Sequence, residues 1–262
     1  AVTGTNGKTS VADFFYQILD INNIPVASIG TLGIRYRNKF IKTNLTSPDV
    51  ITLHKNLEKL KKNKIDNVII EASSHGLDQN RLNNLNLKAG IFTNFSQDHL
   101  DYHKTMKDYL RAKLILFSKL LPKKSYVITD KIIKEYSILE KISKKRQLRL
   151  LNINKQFQDI KDLSLSLTGS FQIKNLSMAT LAAKLCNLKN SQVDTPFGPF
   201  FTPGLTDGVF VSIVIRPQHL KLDFFLQHHA LYLLMLKLHF VHCYKLCFLL
   251  IQLHHLQHLK LH

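Results

Sequence analysis

Hydrophobic residues in the first two-thirds of the chain occur either as short apolar runs or as longer stretches with helical spacing. The short runs predict strands and the amphipathic stretches predict helices between them. Strands are predicted at 24–29, 66–71, 89–95, 127–130 and 164–168, with a hairpin arm at 34–41. Helices are predicted at 11–19, 50–60, 106–117 and 176–185, and a basic helix and strand at 131–150. This alternation predicts an α/β fold with a mostly parallel sheet flanked by helices.

The pattern breaks down after about residue 190. Residues 191–262 hold nine of the thirteen histidines and no glutamate, and their Leu and Phe residues keep neither a strand nor a helix period. Such a segment should lack a consistent core. We therefore expect one domain at 1–190 and a non-native tail at 191–262, for instance a frame-shifted translation. If the tail instead binds zinc, its ligands would be His239, His242, Cys243 and Cys247.

The chain opens on a glycine-containing turn that ends in a lysine and two hydroxyl residues, Thr3-Gly4-Thr5-Asn6-Gly7-Lys8-Thr9-Ser10. Glycines let backbone N–H groups converge on phosphate oxygens, because no Cβ blocks the approach. Lys8 would place its charge near the β- and γ-phosphates, and Thr9 would offer its hydroxyl to Mg²⁺. The general phosphate-loop pattern has a glycine where this chain has Val2, so a plain helix start is the alternative.

Two further segments place polar residues where a ligand would bind. Thr46, Ser47 and Pro48 precede a helical stretch, either as its cap and first turn or as hydroxyls that bind an anionic substrate. Glu71 ends an apolar run, and ligands gather at the carboxyl ends of parallel strands. Its carboxylate would hold Mg²⁺ opposite Thr9, unless it merely ends the strand.

Two histidines and two aspartates lie within 98–103, directly after the strand predicted at 89–95. A cluster of this composition would bind zinc, but its loose spacing and oxygen-rich surroundings favour Mg²⁺. Lys113 lies on or beside the apolar stripe of the helix that follows. If this lysine had only a structural role, its long stem would carry the amine out to solvent.

Composition narrows the function. A net charge of +18 and a pI near 9.8 would suit a nucleic-acid partner, but the lysines are scattered among Asn and Ile without arginine–aromatic interleaving. Three cysteines indicate a reducing compartment instead of a disulfide framework. The sequence contains no run of about 18 uncharged apolar residues, so no membrane span is predicted. We expect a cytoplasmic monomer that binds an anionic small molecule, and neither nucleic acid nor membrane.

Together these motifs resemble the central ATPase domain of the Mur ligase family over about residues 1–190. The most discriminating match is the run Glu71-Ala72-Ser73-Ser74-His75-Gly76-Leu77, followed by Gln79 and Arg81, and the segment 93–103 strengthens it. This form of the run is typical of the ligases that add the third amino acid to UDP-N-acetylmuramoyl-L-Ala-D-Glu. Only Ala1 and Val2 remain of the strand before the phosphate loop, so we expect a domain truncated at its N-terminus.

The resemblance implies a role for each matching residue. The ATP-binding set would be Gly4, Thr5, Asn6, Gly7, Lys8, Thr9, Ser10, Asn94 and Asn175. The UDP-linked substrate would contact Thr46, Ser47, Ser73, Gln79 and Arg81. The Mg²⁺ ligands would be Thr9, Glu71, His99 and Lys113, the last as an N-carboxylated lysine. The catalytic set would be Lys8, His99 and Lys113. Leu45 and Gln172 depart from the family pattern, and Leu45 leaves one substrate contact open.

The implied reaction is ATP-dependent amide bond formation in peptidoglycan precursor synthesis. The D-Glu carboxylate would attack the γ-phosphate of ATP to give an acyl phosphate, and the amine of diaminopimelate or lysine would then displace phosphate. Positive charge must offset the repulsion between the two anions. Without flanking domains this chain would itself be inactive. The alternatives are another Mur ligase, folylpolyglutamate synthase, a P-loop nucleotide-binding protein without ligase chemistry, or a basic nucleic-acid-binding protein.

Overall fold

The computed structural model describes residues 1–161 and 170–186, all within the first of two units of the chain. The strand predicted at 164–168 and the proposed tail at 191–262 lie outside the described residues. The second unit, 217–262, is part of that tail. In the described part of the chain, no helix has both the length and the apolar character needed to cross a bilayer.

Eight strands run through the described residues. They are β1 (Val2–Thr3), β2 (Val26–Gly30), β3 (Gly33–Tyr36), β4 (Lys39–Ile41), β5 (Asn67–Ile70), β6 (Ala89–Phe92), β7 (Tyr126–Thr129) and β8 (Arg149–Asn152). One sheet has the order β1-β6-β7-β8 and is parallel throughout. The other has the order β4-β3-β2-β5, in which only β2 and β5 are parallel. The predicted mostly parallel sheet is therefore confirmed.

Within the described residues, one bridge joins the two sheets. Val2 of β1 pairs in parallel with Glu71, the residue after β5, and the Ala72 backbone N–H donates to the Val2 carbonyl at 2.8 Å. The Glu71 N–H donates to the Ile29 carbonyl of β2, also at 2.8 Å. The backbone of Glu71 therefore lies at the junction of both sheets.

Helices connect the strands in the described residues. They are α1 (Lys8–Ile21), α2 (Val50–Lys62), α3 (Ser74–Asp78), α4 (Leu100–His103), α5 (Met106–Ile115), α6 (Tyr136–Arg146), α7 (Asn154–Lys161) and α8 (Ser170–Lys184). The last turns of α5 continue as a π-helix at Leu116–Leu120.

The central strands are apolar throughout because both faces of the sheet are covered. Successive residues of a strand point to opposite faces. Ile69 and Ile91 belong to the core beneath α1 and α8, whereas their neighbours Ile70 and Phe92 belong to the core beneath α2 and α5. Burying one such side chain fully contributes about 2 kcal/mol to folding. This two-sided burial explains why the strands lack the alternation seen in half-exposed sheets.

Several elements differ from the predictions. Residues 33–41 form a complete hairpin of two strands instead of one arm. Helix α8 begins at Ser170, not at residue 176, because no proline or glycine interrupts the residues after Ser170. Helices α3, α4 and α7 were not predicted, since each has eight residues or fewer.

The start of α2 also differs from the prediction. Asp49 is the cap, and its carboxylate accepts a hydrogen bond from the Thr52 N–H at 3.0 Å. Pro48 precedes the cap and so lies outside the first turn. The interpretation of Thr46 or Ser47 as the helix cap is therefore wrong. A carboxylate fits this position well, because it satisfies a free N–H and opposes the helix dipole.

Candidate active site

A cleft of about 490 Å³ opens beyond the carboxyl ends of the central strands. Twelve predicted site residues line it: Thr5, Asn6, Gly7, Lys8, Thr9, Ser10, Thr46, Ser47, Ser73, Arg81, His99 and Lys113. The other five contact these lining residues from behind: Gly4, Glu71, Gln79, Asn94 and Asn175. The structure thus brings all seventeen predicted site residues to one region, although their roles stay predictions.

The opening loop has a backbone that only glycine adopts readily at two positions. Gly4 has φ +145° and Gly7 has φ +83°. A Cβ on Gly4 would lie 1.8 Å from the Thr93 hydroxyl oxygen, and one on Gly7 would lie 2.6 Å from Asn175 Oδ1. Gly7 then caps α1, so the loop ends at the N-terminus of a 14-residue helix. Free N–H groups and the helix dipole favour an anion at this point.

Replacing Gly4 with alanine is expected to lower the free energy of unfolding by about 3 kcal/mol, because the new Cβ would displace Thr93 and the positive φ would be strained. Urea unfolding of the chain measures this loss. Ser10→Ala is the control in the same segment, and we expect a change within about 0.5 kcal/mol. Equal stability of the two variants would contradict the tight approach between the loop and β6.

Two lysine amines lie against the same loop carbonyl. Lys8 Nζ donates to the carbonyls of Gly4 at 3.0 Å and Thr5 at 2.9 Å. Lys113 Nζ donates to the Gly4 carbonyl at 2.8 Å and lies 4.2 Å from the centroid of the Tyr109 ring. Lys113 is only 1% exposed, so the interpretation that its amine reaches solvent is wrong.

The surroundings of both amines destabilise their protonated forms and so lower their pKa values. Burial, and to a smaller extent the neighbouring charge of Lys8, lowers the pKa of Lys113 to about 7, although Asp98 opposes the shift. Burial also lowers the pKa of Lys8, against the opposing effect of Glu71 and Asp98. A lysine close to neutrality is a nucleophile, which an ordinary surface lysine is not.

The free energy of unfolding is expected to rise as pH increases from about 7 towards the ordinary lysine pKa of 10.5. In that window the unfolded chain still binds a proton at Lys113 and the folded chain does not, so higher pH favours the folded state. Lys113→Met should flatten this rise, and Lys107→Met, at an exposed position of the same helix, should leave it unchanged. Denaturant unfolding at several pH values measures the slopes, and identical slopes for all three proteins would contradict the lowered pKa.

Glu71 is a buried carboxylate with three donors around it. It is 2% exposed and accepts from the Thr9 hydroxyl at 2.8 Å, the Thr31 N–H at 3.0 Å and the Thr31 hydroxyl at 3.1 Å. Burial raises the pKa of Glu71, and these hydrogen bonds together with Lys8 partly offset the rise. Thr9 and Glu71 together present hard oxygen atoms, the donor type that Mg²⁺ prefers.

The histidine cluster is arranged differently from a closed metal site. His99 is the residue before α4, with φ +51°, and its Nε2 lies 3.5 Å from the Asp98 carboxylate. Its ring meets the His75 ring edge-on, with centroids 5.1 Å apart. Among residues 1–161 and 170–186, no three His, Cys, Asp or Glu side chains gather closely enough to hold a metal ion. The zinc alternative for 98–103 therefore receives no support from the described residues.

The cleft is also lined by hydroxyls and a guanidinium group. Ser47 Oγ donates to the Glu71 carbonyl at 2.8 Å and lies 3.0 Å from Ser73 Oγ. Arg81 Nη1 donates to the Ser47 carbonyl at 2.8 Å, and Arg81 Nε donates to Gln79 Oε1 at 3.0 Å. These bonds hold a positive charge and a row of hydroxyls toward the cleft, which suits an anionic ligand.

Two asparagines brace the phosphate loop. Asn94 Oδ1 accepts from the Asn6 N–H at 2.9 Å, and Asn94 Nδ2 donates to the Asn6 carbonyl at 3.2 Å. Asn175 lies inside α8, where its side chain faces Gly7 and donates to Gln172 Oε1 at 3.1 Å. Asn94 therefore bonds to the backbone of the loop, and Asn175 packs against the loop at Gly7.

Sequence reasoning missed Thr31. This residue lines the cleft and donates twice to Glu71, from its backbone and its hydroxyl. A usable signal was present, because Thr31 directly follows β2. The rule that pointed to Glu71, that ligands gather at the carboxyl ends of parallel strands, points equally to Thr31.

A glycine loop that feeds a helix N-terminus, with a lysine and a hydroxyl beside a buried carboxylate on a mostly parallel sheet, defines a P-loop-type domain. The family profile of the Mur ligase middle domain matches residues 2–156. The chain belongs to the Mur ligase family, and the predicted resemblance is confirmed.

Several curated relatives have the name UDP-N-acetylmuramoyl-L-alanyl-D-glutamate–2,6-diaminopimelate ligase. The protein of Brucella melitensis is 50% identical over 123 residues, which cover 47% of this chain and 25% of the relative. That of Rickettsia bellii is 39% identical over 204 residues, which cover 68% of this chain and 43% of the relative. The chain thus spans less than half the length of these relatives.

Solved structures agree with this family. A structure of UDP-N-acetylmuramoyl-L-alanyl-D-glutamate–2,6-diaminopimelate ligase superposes with a TM-score of 0.64 at 25% identity, over 78% of this chain and 45% of that one. A folylpolyglutamate synthase complex with the nucleotide AMPPCP and folate superposes with a TM-score of 0.56 at 17% identity, over 77% of this chain and 62% of that one. The second likeness shows the fold alone.

Proposed function

We propose that this chain supplies the ATP-binding part of a ligase that adds diaminopimelate or lysine to UDP-N-acetylmuramoyl-L-Ala-D-Glu. One observation carries the proposal: a phosphate loop and a set of hydroxyls with Arg81 line the same cleft. An enzyme that joins a carboxylate to a phosphate needs both anions side by side. The names of the curated relatives support this substrate, with diaminopimelate as the first choice for the incoming amino acid.

The residues divide the work between the two anions. Lys8 would leave the Gly4 carbonyl and place its amine on the ATP phosphates, while the loop N–H groups and Asn94 hold the loop in shape. Arg81 and the Ser47 and Ser73 hydroxyls would orient the acidic substrate for attack on the γ-phosphate. The charges on Lys8 and Arg81 offset the repulsion between the anions as the acyl phosphate forms.

The oxygen donors fit a magnesium ion. Thr9, Glu71, His99 and an N-carboxylated Lys113 would hold Mg²⁺, which supplies charge neutralisation between the phosphates. The lowered pKa of Lys113 supports the carboxylation. The neutral amine nitrogen forms a bond to the carbon of CO₂ and releases one proton, so a cation becomes an anionic ligand. Phosphate and water oxygens would complete the shell, which agrees with the lack of a closed protein site among the described residues.

The test is product analysis after fusion of this chain to the remaining domains of a relative. ATP, the UDP-muramoyl dipeptide and either diaminopimelate or lysine are expected to give a UDP-tripeptide and ADP. A parallel reaction with folate and glutamate tests the folylpolyglutamate synthase alternative. ATP binding without any amide product would favour a nucleotide-binding protein that lacks ligase chemistry.

The organisation of the chain is also a proposal. We place the domain at 1–190, treat 191–262 as a non-native tail, and expect a cytoplasmic monomer that does not ligate without flanking domains. Sequencing the coding DNA tests the tail. A single uninterrupted reading frame, with related proteins that share residues 191–262, would overturn the frame-shift interpretation.

A further inference from the structure

We propose that Tyr102 is a positioning residue that orients Arg81 toward the acidic substrate through Gln79. Nothing in the roles assigned above uses Tyr102, although its hydroxyl links two segments that reach the cleft from different strands. Gln79 and Arg81 follow β5 and α3, whereas Tyr102 belongs to α4, which follows β6. The inference rests on the proposed function for the identity of the ligand, and on geometry for everything else.

The hydrogen bonds run in one direction. Gln79 Nε2 donates to the Tyr102 hydroxyl at 3.2 Å, and the Tyr102 hydroxyl donates to Asp78 Oδ2 at 3.0 Å. Because the amide nitrogen of Gln79 bonds to Tyr102, the amide oxygen of Gln79 points away from Tyr102 and towards Arg81. Gln79 Oε1 accepts from Arg81 Nε at 3.0 Å and from Arg81 Nη2 at 2.5 Å.

Arg81 is thereby held from two sides. Gln79 takes the Nε and Nη2 edge, and the Ser47 carbonyl takes Nη1 at 2.8 Å. Three of the five N–H groups of the guanidinium make these bonds, which leaves two for a ligand. Because Arg81 lines the cleft, a carboxylate or phosphate bound there can accept from them. A fixed fork binds an anion better than a mobile one, because less side-chain entropy is lost.

We call the hydrogen bonds from Arg81 through Gln79 and Tyr102 to Asp78 the relay. The Tyr102 ring also packs against the histidines on the predicted metal side of the cleft. Its centroid lies 4.0 Å from that of His75, which in turn lies 5.1 Å from that of His99. Residues 99–103 therefore pack against His75 of α3 through three rings, beside the hydrogen bonds that hold Arg81. Tyr102→Phe keeps the ring contacts and removes only the hydroxyl, so the variant separates the relay from the packing.

The first measurement needs no ligand. In the chain labelled with ¹⁵N-arginine, the Nε–H heteronuclear NOE of Arg81 should indicate an ordered side chain. In Tyr102→Phe it should fall to the value of Arg111, whose side chain is 77% exposed. Tyr126→Phe is the matched control, because Tyr126 accepts from Arg149 Nη1 at 2.9 Å on strands that do not line the cleft. An Arg81 that stays ordered in Tyr102→Phe overturns the proposal, whether or not the substrate binds.

The second measurement is calorimetric titration of this chain, fused to the remaining domains of a relative, with UDP-muramoyl dipeptide and, separately, with ATP. Tyr102→Phe should weaken dipeptide binding about fivefold, the size of one neutral hydrogen bond, and leave ATP affinity unchanged. In an Arg81→Lys background the same substitution should change dipeptide affinity less than twofold, because the relay then has no guanidinium to orient. An equal loss in both backgrounds would show that Tyr102 acts independently of Arg81 and would overturn the proposal.

The two measurements separate this inference from the proposed function. Loss of Arg81 order in Tyr102→Phe, together with no dipeptide binding by the unaltered fusion protein, would refute the proposed substrate while supporting the role of Tyr102. Dipeptide binding by the unaltered fusion protein that Tyr102→Phe weakens together with ATP binding would point to general damage at the cleft and would count against that role.

Discussion

Replacing Lys8 with alanine is expected to weaken ATP binding about 100-fold. A charge-assisted hydrogen bond from an amine to phosphate contributes about 3 kcal/mol. In the free chain the Lys8 amine bonds to the carbonyls of Gly4 and Thr5, and burial lowers its pKa. Removal of this amine should therefore leave the folded state intact, so the loss of affinity reflects the site.

Calorimetric titration with ATP and Mg²⁺ measures the effect in this chain. Lys59→Ala is the matched control, since it removes one positive charge from an exposed position on α2. In a fusion with the remaining domains of a relative, Lys8→Ala should abolish ligation. If the ATP affinity of Lys8→Ala were within a factor of two of that of the unaltered chain, the assignment of Lys8 to ATP binding would be wrong.

Replacing Glu71 with glutamine is expected to abolish the dependence of ATP binding on Mg²⁺. The amide preserves the shape of the side chain: its oxygen still accepts from the Thr31 N–H, and its nitrogen donates to the Thr9 and Thr31 hydroxyls. Only the charge is lost, and a hard cation prefers an ionised carboxylate. We expect the ATP affinity of the variant to be the same with Mg²⁺ as with EDTA, and ligation in the fused enzyme to disappear.

The control for this substitution is Glu58→Gln, which removes an exposed carboxylate paired with Lys62 at 2.7 Å. This variant should keep the full response to Mg²⁺. Glu71→Ala should in addition lower stability, because it leaves the donors of Thr9 and Thr31 without their acceptor. A normal Mg²⁺ response in Glu71→Gln would place the metal elsewhere.

Much of the fold follows from local patterns in the sequence. The apolar runs around Ile69, Ile91 and Ile128 are buried on both faces, and that composition predicts central parallel strands. The hairpin at 33–41 was only half predicted, because its second strand is three residues long and mostly exposed. Helix α7 escaped prediction for a related reason, since a short polar segment is helical here through its packing against α8 and not through its pattern.

The candidate site was predictable where a residue type has a restricted chemistry. Gly4, Gly7 and Lys8 belong to a loop motif, and Glu71 ends an apolar strand. The burial of Lys113 was harder to predict, because a lysine on an apolar stripe can also bury only its aliphatic stem and keep its amine in solvent. The contacts of Tyr102 with Asp78 and Gln79 join residues more than twenty positions apart, and no local pattern encodes such a meeting.

The bridge between Val2 and Glu71 joins two sheets whose strands differ in how far along the chain they must find their partners. Strands β2 to β5 are consecutive along the chain, whereas β1 must find β6 about ninety residues away. Closing a long loop costs more entropy than closing a short one, so local pairings form earlier. The carboxylate-bearing sheet is therefore expected to acquire amide protection first during refolding. The nucleotide pocket would then be assembled last, when the opening strand inserts between two pre-existing edges.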